Sequence, residues 1–299
     1  MKAMLGIAPI GWTNDDLPEL GGEIPLETCL ADAQAAGYSG MERGGKFPKT
    51  ADEMLAVLGK YDLQLVSGWY SGTVLDNELE AEKDQAREQI DLFKTVGCTC
   101  IVYGETAGTV QNIRSAPLNT RRRLSDDQIR DYGRRLTAFA EFCAEEKMPL
   151  AFHHHMATAI ETEQDLDTLM ANTGEAVGLL YDAGHMAFAG GDILRVIDNH
   201  GPRIIHVHTK DVRNSVIHTI DRDRVSFLDA VIQGAFTVPG DGSIDFDAVI
   251  QRLADNGYEG WFIVEAEQDP AKAPPAEYAR IGYDSLVGSL AKAGYEIAR

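Results

Sequence analysis

The 299-residue chain has few cysteines, few basic residues and no long apolar run. Cys29, Cys98, Cys100 and Cys143 form neither a CxxC pair nor a zinc-ligand spacing, which predicts buried free thiols in a reducing compartment. No stretch of about 18 uninterrupted apolar residues is present, so a membrane span is not expected. The apolar part of segment 1–12 is too short for a signal peptide, and we therefore expect a cytoplasmic protein.

Basic residues are outnumbered by acidic ones, with 27 lysines and arginines against 47 aspartates and glutamates and a formal net charge of −20. A surface of this sign repels nucleic-acid phosphates and anionic lipids, so neither nucleic acid nor membrane is an expected partner. The short basic run 121–123 predicts a solvated loop. A small molecule is the expected partner, and a homo-oligomer is compatible with the sequence.

Short apolar segments alternate with longer amphipathic ones along the whole chain. Eight segments have the length and composition of strands, namely 5–10, 39–42, 64–68, 99–103, 150–153, 177–181, 204–208 and 260–264. Helical patterns lie near 25–36, 51–60, 77–96, 125–147, 163–172, 191–200, 245–256 and 276–293. Eight alternating strand–helix units predict an α/β fold, a (β/α)₈ TIM barrel formed by a single domain, 1–299.

Polar side chains follow the predicted strands, where the active site of a barrel is built. They include Glu42, Glu105, His153, His154, His155, Asp182, His185, His206, His208, Glu265 and Glu267. Because side chains alternate along a strand, His153 and His155 share one face and His154 lies on the other. Two alternatives stay open: Asp182 also fits a helix N-cap, and His206 fits a hydrogen-bonded group in the core.

These residue types favour a divalent metal site. A carboxylate such as Glu265, directly after an apolar strand, is costly to bury without a cation. Imidazole and carboxylate ligands without a thiolate suit Mn²⁺, Co²⁺, Fe²⁺ or Zn²⁺, and we favour Mn²⁺ or Co²⁺. No G-x-G-x-x-G motif or P-loop is present, so nucleotide binding has little support.

The order of these motifs resembles the xylose-isomerase-like barrels. The motifs that carry this resemblance are Asp182-x-x-His185, His206-Val-His208-x-Lys210-Asp and the strand-end Glu265. Segments 11–18, 44–48, 236–242 and 264–270 resemble, more narrowly, the myo-inosose-2 dehydratases within that superfamily. The resemblance covers nearly the whole chain.

The resemblance implies a metal-dependent hydro-lyase of inositol catabolism, which removes water from 2-keto-myo-inositol to give a trihydroxycyclohexane-1,2-dione. The superfamily's usual ligands are Glu, Asp, His and Glu, and Asp182, His208 and Glu265 match the last three. His153 stands at the first position, where a carboxylate is usual. The resemblance also implies glutathione as an assisting thiol cofactor. A ketose 3-epimerase or sugar isomerase on the same metal-binding barrel is the alternative.

Elimination next to a ketone needs a base, a group that stabilises the enolate oxygen and an acid for the departing hydroxyl. His155, His185, Lys46 and Glu42 are the candidate catalytic residues. Trp12, Glu105, Lys210 and Arg213 are candidates for binding the substrate, with Trp12 as an apolar wall for a cyclic polyol. Trp12 fits the core equally well, and Lys46 fits a solvated loop.

Overall fold

The computed structural model describes residues 1–298. Its strands are β1 (Lys2–Ile7), β2 (Gly40–Arg43), β3 (Gln64–Gly72), β4 (Ile101–Glu105), β5 (Leu150–His153), β6 (Val177–Asp182), β7 (Ile204–His208), β8 (Asp211–Val212), β9 (Phe236–Thr237), β10 (Gly260–Val264) and β11 (Glu296–Ala298). Strands β1 to β7 and β10 are parallel, and β10 pairs with both β7 and β1, so these eight strands close into a barrel. The predicted (β/α)₈ architecture is confirmed.

Eleven α-helices lie within the described residues. They are α1 (Leu26–Ala36), α2 (Ala51–Gly59), α3 (Leu79–Val96), α4 (Asp126–Glu145), α5 (Glu163–Ala171), α6 (Ala183–Ala189), α7 (Ile193–His200), α8 (Asn214–Ile217), α9 (Phe227–Ile232), α10 (Phe246–Asp255) and α11 (Pro275–Lys292). Local sequence explains several ends: Ser125 and Gln128 form a capping box at the start of α4, and Gly97 ends α3 with a φ of 86°.

Several stretches differ from the sequence-based prediction, including β3, which ends at Gly72 instead of residue 68, and the unpredicted α6 and β11. The first strand ends at Ile7 instead of residue 10, because Pro9 begins a short 3₁₀ helix, Pro9–Gly11. Segment 211–244, where the sequence analysis assigned no strand or helix, contains the antiparallel pair β8–β9 and the helices α8 and α9. Elements of two to six residues are too short to leave a readable hydrophobic period.

The long loops at the carboxyl ends of the strands have an apolar core of their own. Leu17, Leu118, Met156, Phe227 and Phe236 belong to one buried cluster that is separate from the main barrel core. They come from the segments that follow β1, β4, β5 and β7, so four loops pack on one another at the mouth of the barrel. In residues 1–298 no helix is both long and apolar enough to cross a membrane.

Candidate metal centre and active site

A cavity of about 590 Å³ opens at the carboxyl ends of the strands. Residues from seven of the eight barrel strands, or from the loops that follow them, line it. Its size suits a small molecule, and its wall combines imidazole and carboxylate groups with an indole ring. The predicted site residues His153, His155, His208, Glu265 and Glu42 are among the lining residues.

Four of the predicted residues form one buried cluster, and three of them, all except Asp182, line the cavity. His153, Asp182, His208 and Glu265 each place a potential ligand atom within 4.8 Å of the others. Asp182 Oδ2 lies 3.6 Å from His153 Nε2 and 3.5 Å from His208 Nδ1, and Glu265 Oε2 contacts His208 Nδ1. The four side chains come from β5, β6, β7 and the end of β10, which are consecutive in the barrel.

The two oxygens of Asp182 have different surroundings. Oδ1 accepts a hydrogen bond of 2.8 Å from the backbone N–H of His185, so Asp182 is the N-cap of α6. Oδ2 points into the cluster and has no hydrogen-bond partner among residues 1–298. A fully buried carboxylate oxygen without a partner is costly, and a divalent cation between these donors would compensate it. The residues therefore fit a metal ion.

Glu42 contacts the ring nitrogen of His208 that faces away from Asp182 and Glu265. His208 Nε2 lies 3.1 Å from Glu42 Oε2, which leaves Nδ1 facing Asp182 and Glu265. His206 lies two residues before His208 on β7, and its Nε2 lies 2.9 Å from Oε1 of the same carboxylate. Burial alone would raise the pKa of Glu42, but the two histidines outweigh it and hold that pKa well below its ordinary value. A carboxylate that orients a histidine in this way is usual behind a metal ligand.

A second buried cluster lies beside the first. His155, His185 and Glu267 place ligand-type atoms within 4.8 Å of one another. The ammonium of Lys210 lies among them, at 2.8 Å from His185 Nε2, from Glu267 Oε1 and from Glu265 Oε1. Since Lys210 bridges Glu265 and Glu267, it joins the two clusters and supplies the positive charge that the second one needs.

Burial dominates the ionisation of this second cluster. Burial, followed by the charge of Lys210, lowers the pKa of His155 to about 3, so this imidazole is neutral at pH 7. Burial raises the pKa of Glu267 to about 7, although Lys210 opposes the change. Lys210 itself keeps its proton, because Glu265 and Glu267 outweigh burial and raise its pKa. The cluster thus combines a free base with a group that titrates near neutrality.

Lys46 and Arg213 do not line the cavity. The ammonium of Lys46 donates to backbone carbonyls of the loop after β1, including that of Gly22 at 2.8 Å. The guanidinium of Arg213 pairs with Asp241 at 2.7 Å and donates to carbonyls around β9. Both side chains tie loops of the barrel mouth together. Lys210, in contrast, is fully buried, and it also does not line the cavity.

Trp12 and Glu105 also lie outside the lining of the large cavity. The indole N–H of Trp12 donates to Asp32 at 2.9 Å, and its ring is buried. Glu105 accepts hydrogen bonds from the hydroxyl of Tyr103 at 2.9 Å and from two backbone amides. Burial raises the pKa of Glu105 to about 7.

Trp69 is the aromatic wall of the cavity, and the sequence analysis did not predict it. Its ring centroid lies 5.8 Å from those of His153 and His155, so the indole borders both side-chain clusters. Gly104 on the adjacent strand makes room, since a Cβ there would lie 1.9 Å from the indole. A tryptophan inside an apolar strand followed by a glycine on the next strand is too general a signal to identify a wall of this kind.

Comparison with known proteins assigns the family. The model of the xylose isomerase-like TIM barrel family matches residues 30–287. The chain belongs to the xylose isomerase-like TIM barrel family. It is 46% identical to the rhizopine catabolism protein MocC of Rhizobium meliloti, an alignment that covers 100% of this chain and 92% of that protein. It is 43% identical to an inosose dehydratase of Geobacillus thermodenitrificans, over 93% and 94% of the two chains.

The fold is also found in solved structures. The IOLI protein, whose structure holds a zinc atom, superposes with a TM-score of 0.70 at 17% identity, over 97% of this chain and 98% of that one. At this identity the likeness concerns the fold alone. It agrees with the closed barrel described above.

Proposed function

We propose that the chain is an inosose dehydratase, a hydro-lyase that removes water from 2-keto-myo-inositol to give a trihydroxycyclohexane-1,2-dione. The observation that carries the proposal is the pair of adjoining clusters, a four-residue metal site next to an acid–base group, in a cavity of small-molecule size. Inosose dehydratases at about 40% identity over more than 90% of the chain support the choice of substrate.

His153, Asp182, His208 and Glu265 are the proposed metal ligands. Two imidazoles, two carboxylates and no thiolate favour Mn²⁺ or Co²⁺ among the divalent ions. When bound, the metal would act as a Lewis acid toward the keto oxygen of the substrate. The chain itself supplies the remaining groups of an elimination.

His155 is the proposed base. Its Nδ1–H donates to the carbonyl of Met156 at 2.7 Å, so Nε2 carries the free lone pair. His155 Nε2 lies 3.9 Å from Glu267 Oε1, so the two groups can reach neighbouring atoms of one small ring. We propose that Nε2 takes the proton next to the ketone and that the carboxyl of Glu267 gives its proton to the leaving hydroxyl.

The atoms balance in this scheme. The C–H electrons form a carbon–carbon double bond, the C–O bond breaks, and the hydroxyl leaves as water with the proton of Glu267. The new double bond carries the hydroxyl of the α-carbon, so the first product is the enol of the 1,2-dione, and movement of the enol proton to carbon gives the dione. Transfer of the new proton from His155 to Glu267 restores both groups. His185 lies behind His155 and Glu267, with its Nε2 2.8 Å from Lys210 Nζ.

The direct test is incubation of the Mn²⁺- or Co²⁺-loaded protein with 2-keto-myo-inositol. We expect the loss of one water by mass spectrometry and the growth of a conjugated dione absorbance. The variant Glu267→Gln should lower kcat by at least about 100-fold, since general acid–base groups contribute that much or more. Formation of an isomer or epimer without loss of water would assign the chain to the alternative reaction, an epimerase or isomerase.

A further inference from the structure

Two amide residues that line the cavity have a buried side-chain atom without a partner in the described part of the chain, and both lie in the half of the barrel that holds none of the proposed metal ligands. Asn14 follows β1 and Gln111 follows β4, and both line the cavity. The metal cluster comes from β5, β6, β7 and β10. The strands follow one another around the barrel, so the amides approach a bound molecule from the other half of the ring.

Asn14 presents a fixed hydrogen-bond donor. Its Oδ1 accepts hydrogen bonds from the backbone N–H of Asp16 at 2.9 Å and of Leu17 at 3.1 Å. These two bonds fix the amide plane and leave Nδ2 as the free end. Nδ2 is buried without a partner among the described residues, and an unpaired buried donor costs about 1–3 kcal/mol. The side chain is therefore preorganised for an acceptor that the chain itself does not supply.

Gln111 presents the matching acceptor. Its backbone N–H donates to Thr109 Oγ1 at 3.3 Å, and Thr109 Oγ1 donates in turn to the carbonyl of Ala157 at 3.2 Å. This chain anchors the segment after β4 to the loop after β5, next to the acid–base cluster. Gln111 Oε1 is buried and, within residues 1–298, has no hydrogen-bond partner.

One free donor and one free acceptor, both uncharged, match hydroxyl groups, which both accept and donate. We propose that Asn14 and Gln111 bind ring hydroxyls remote from the reacting carbons, and thereby make the site specific for an uncharged polyhydroxy ring. Trp69, which also lines the cavity and borders His153, would pack against an apolar face of the same ring. This inference rests on the proposed function for the identity of the ring, but the binding step is tested separately.

The variants Asn14→Asp and Gln111→Met test the pair. Asn14→Asp keeps the Oδ1 that fixes the loop and removes the donor, whereas Gln111→Met keeps the length and removes the acceptor. Gln34→Ala, an exposed amide on α1, is the matched control. We expect each cavity variant to weaken binding of myo-inositol to the metal-loaded protein by about 10-fold in calorimetry, the effect of one lost hydrogen bond.

Kinetics with 2-keto-myo-inositol and with analogues that lack one remote hydroxyl provide the second readout. KM should rise by about 10-fold in each cavity variant while kcat stays within about twofold. An analogue that lacks the hydroxyl bound by Asn14 or Gln111 should raise KM of the wild type by the same factor. It should not raise KM of the corresponding variant any further.

Three results would overturn the inference: unchanged myo-inositol affinity in both variants, no binding of myo-inositol to the wild type, or a fall in kcat with KM unaltered. If the wild type binds myo-inositol but does not dehydrate the inosose, the proposed function fails and the hydroxyl-binding pair stands. Melting temperatures and metal contents equal to those of Gln34→Ala would show that the cavity variants are folded.

Discussion

The two halves of the barrel mouth carry different kinds of side chain. Strands β5, β6, β7 and β10 supply the histidines, the lysine and most of the carboxylates of the two clusters. Strands β1 to β4 and their loops supply amides, an indole ring and the charged Asp15, Asp16 and Arg43. They also supply Glu42, which reaches across to orient His208. Under the proposed function, the half with the two clusters performs the chemistry and the other half recognises the substrate. Changes in the half with the clusters should then affect metal content and kcat, and changes in the other half should affect KM.

The largest expected effect comes from the metal half. Glu265→Gln keeps the shape of the side chain but removes its charge, so we expect loss of bound metal and a fall in turnover of more than about 100-fold, since even partners behind a ligand cost 10- to 100-fold. Glu259→Gln, which changes an exposed carboxylate at the other end of the same strand, is the control. Metal analysis and initial rates check the prediction, and a wild-type metal content in Glu265→Gln would contradict it.

The second-largest expected effect is a loss of stability on removal of the buried ammonium of Lys210. Lys210→Met leaves Glu265 and Glu267 buried without their cation, which we expect to cost about 3–5 kcal/mol of unfolding free energy in the metal-free protein. Lys292→Met, at an exposed pair with Asp247, should cost less than about 1 kcal/mol. Denaturant titrations in the presence of a chelator measure both. Equal losses in the two variants would mean that Lys210 does not stabilise the clusters.

The smallest effect concerns a carboxylate in the other half that does not line the cavity. The pKa of Glu105 is about 7 in the folded protein, above its ordinary value of 4.5, so the folded state binds the proton more tightly. This contribution to stability is complete below about pH 4.5 and is lost as pH rises through 7, a change of about 3 kcal/mol. Glu105→Gln should therefore lose less stability than the wild type over this window.

Denaturant titrations of metal-free protein at several pH values measure this difference. Glu277→Gln, at an exposed position on α11, should retain the wild-type pH dependence. KM of Glu105→Gln should equal that of the wild type, because Glu105 is not part of the cavity wall. A raised KM would instead support the sequence-based prediction that Glu105 binds substrate.

Sequence patterns predicted the barrel and the half of the site that lies at strand ends. Eight alternating units identified the fold, because hydrophobic periods and caps such as Ser125 are local features. His153, Asp182, His208 and Glu265 were also predictable, since each follows an apolar strand and parallel strands end at one face. Asp182 is the helix N-cap that one interpretation predicted, through Oδ1, and its Oδ2 is left without a partner among residues 1–298, as the proposed metal site requires.

Only the tertiary structure decided which neighbour each side chain has. Trp12 and Trp69 both lie in or after apolar strands. Tertiary packing nevertheless buries the Trp12 ring beside Asp32, outside the cavity lining, and places Trp69 on the cavity wall opposite Gly104. Lys210 lies between two carboxylates that are more than 50 residues away in the chain, and Glu42 meets His208 from more than 160 residues away. Contacts of this kind depend on closure of the barrel, so no local pattern in the sequence records them.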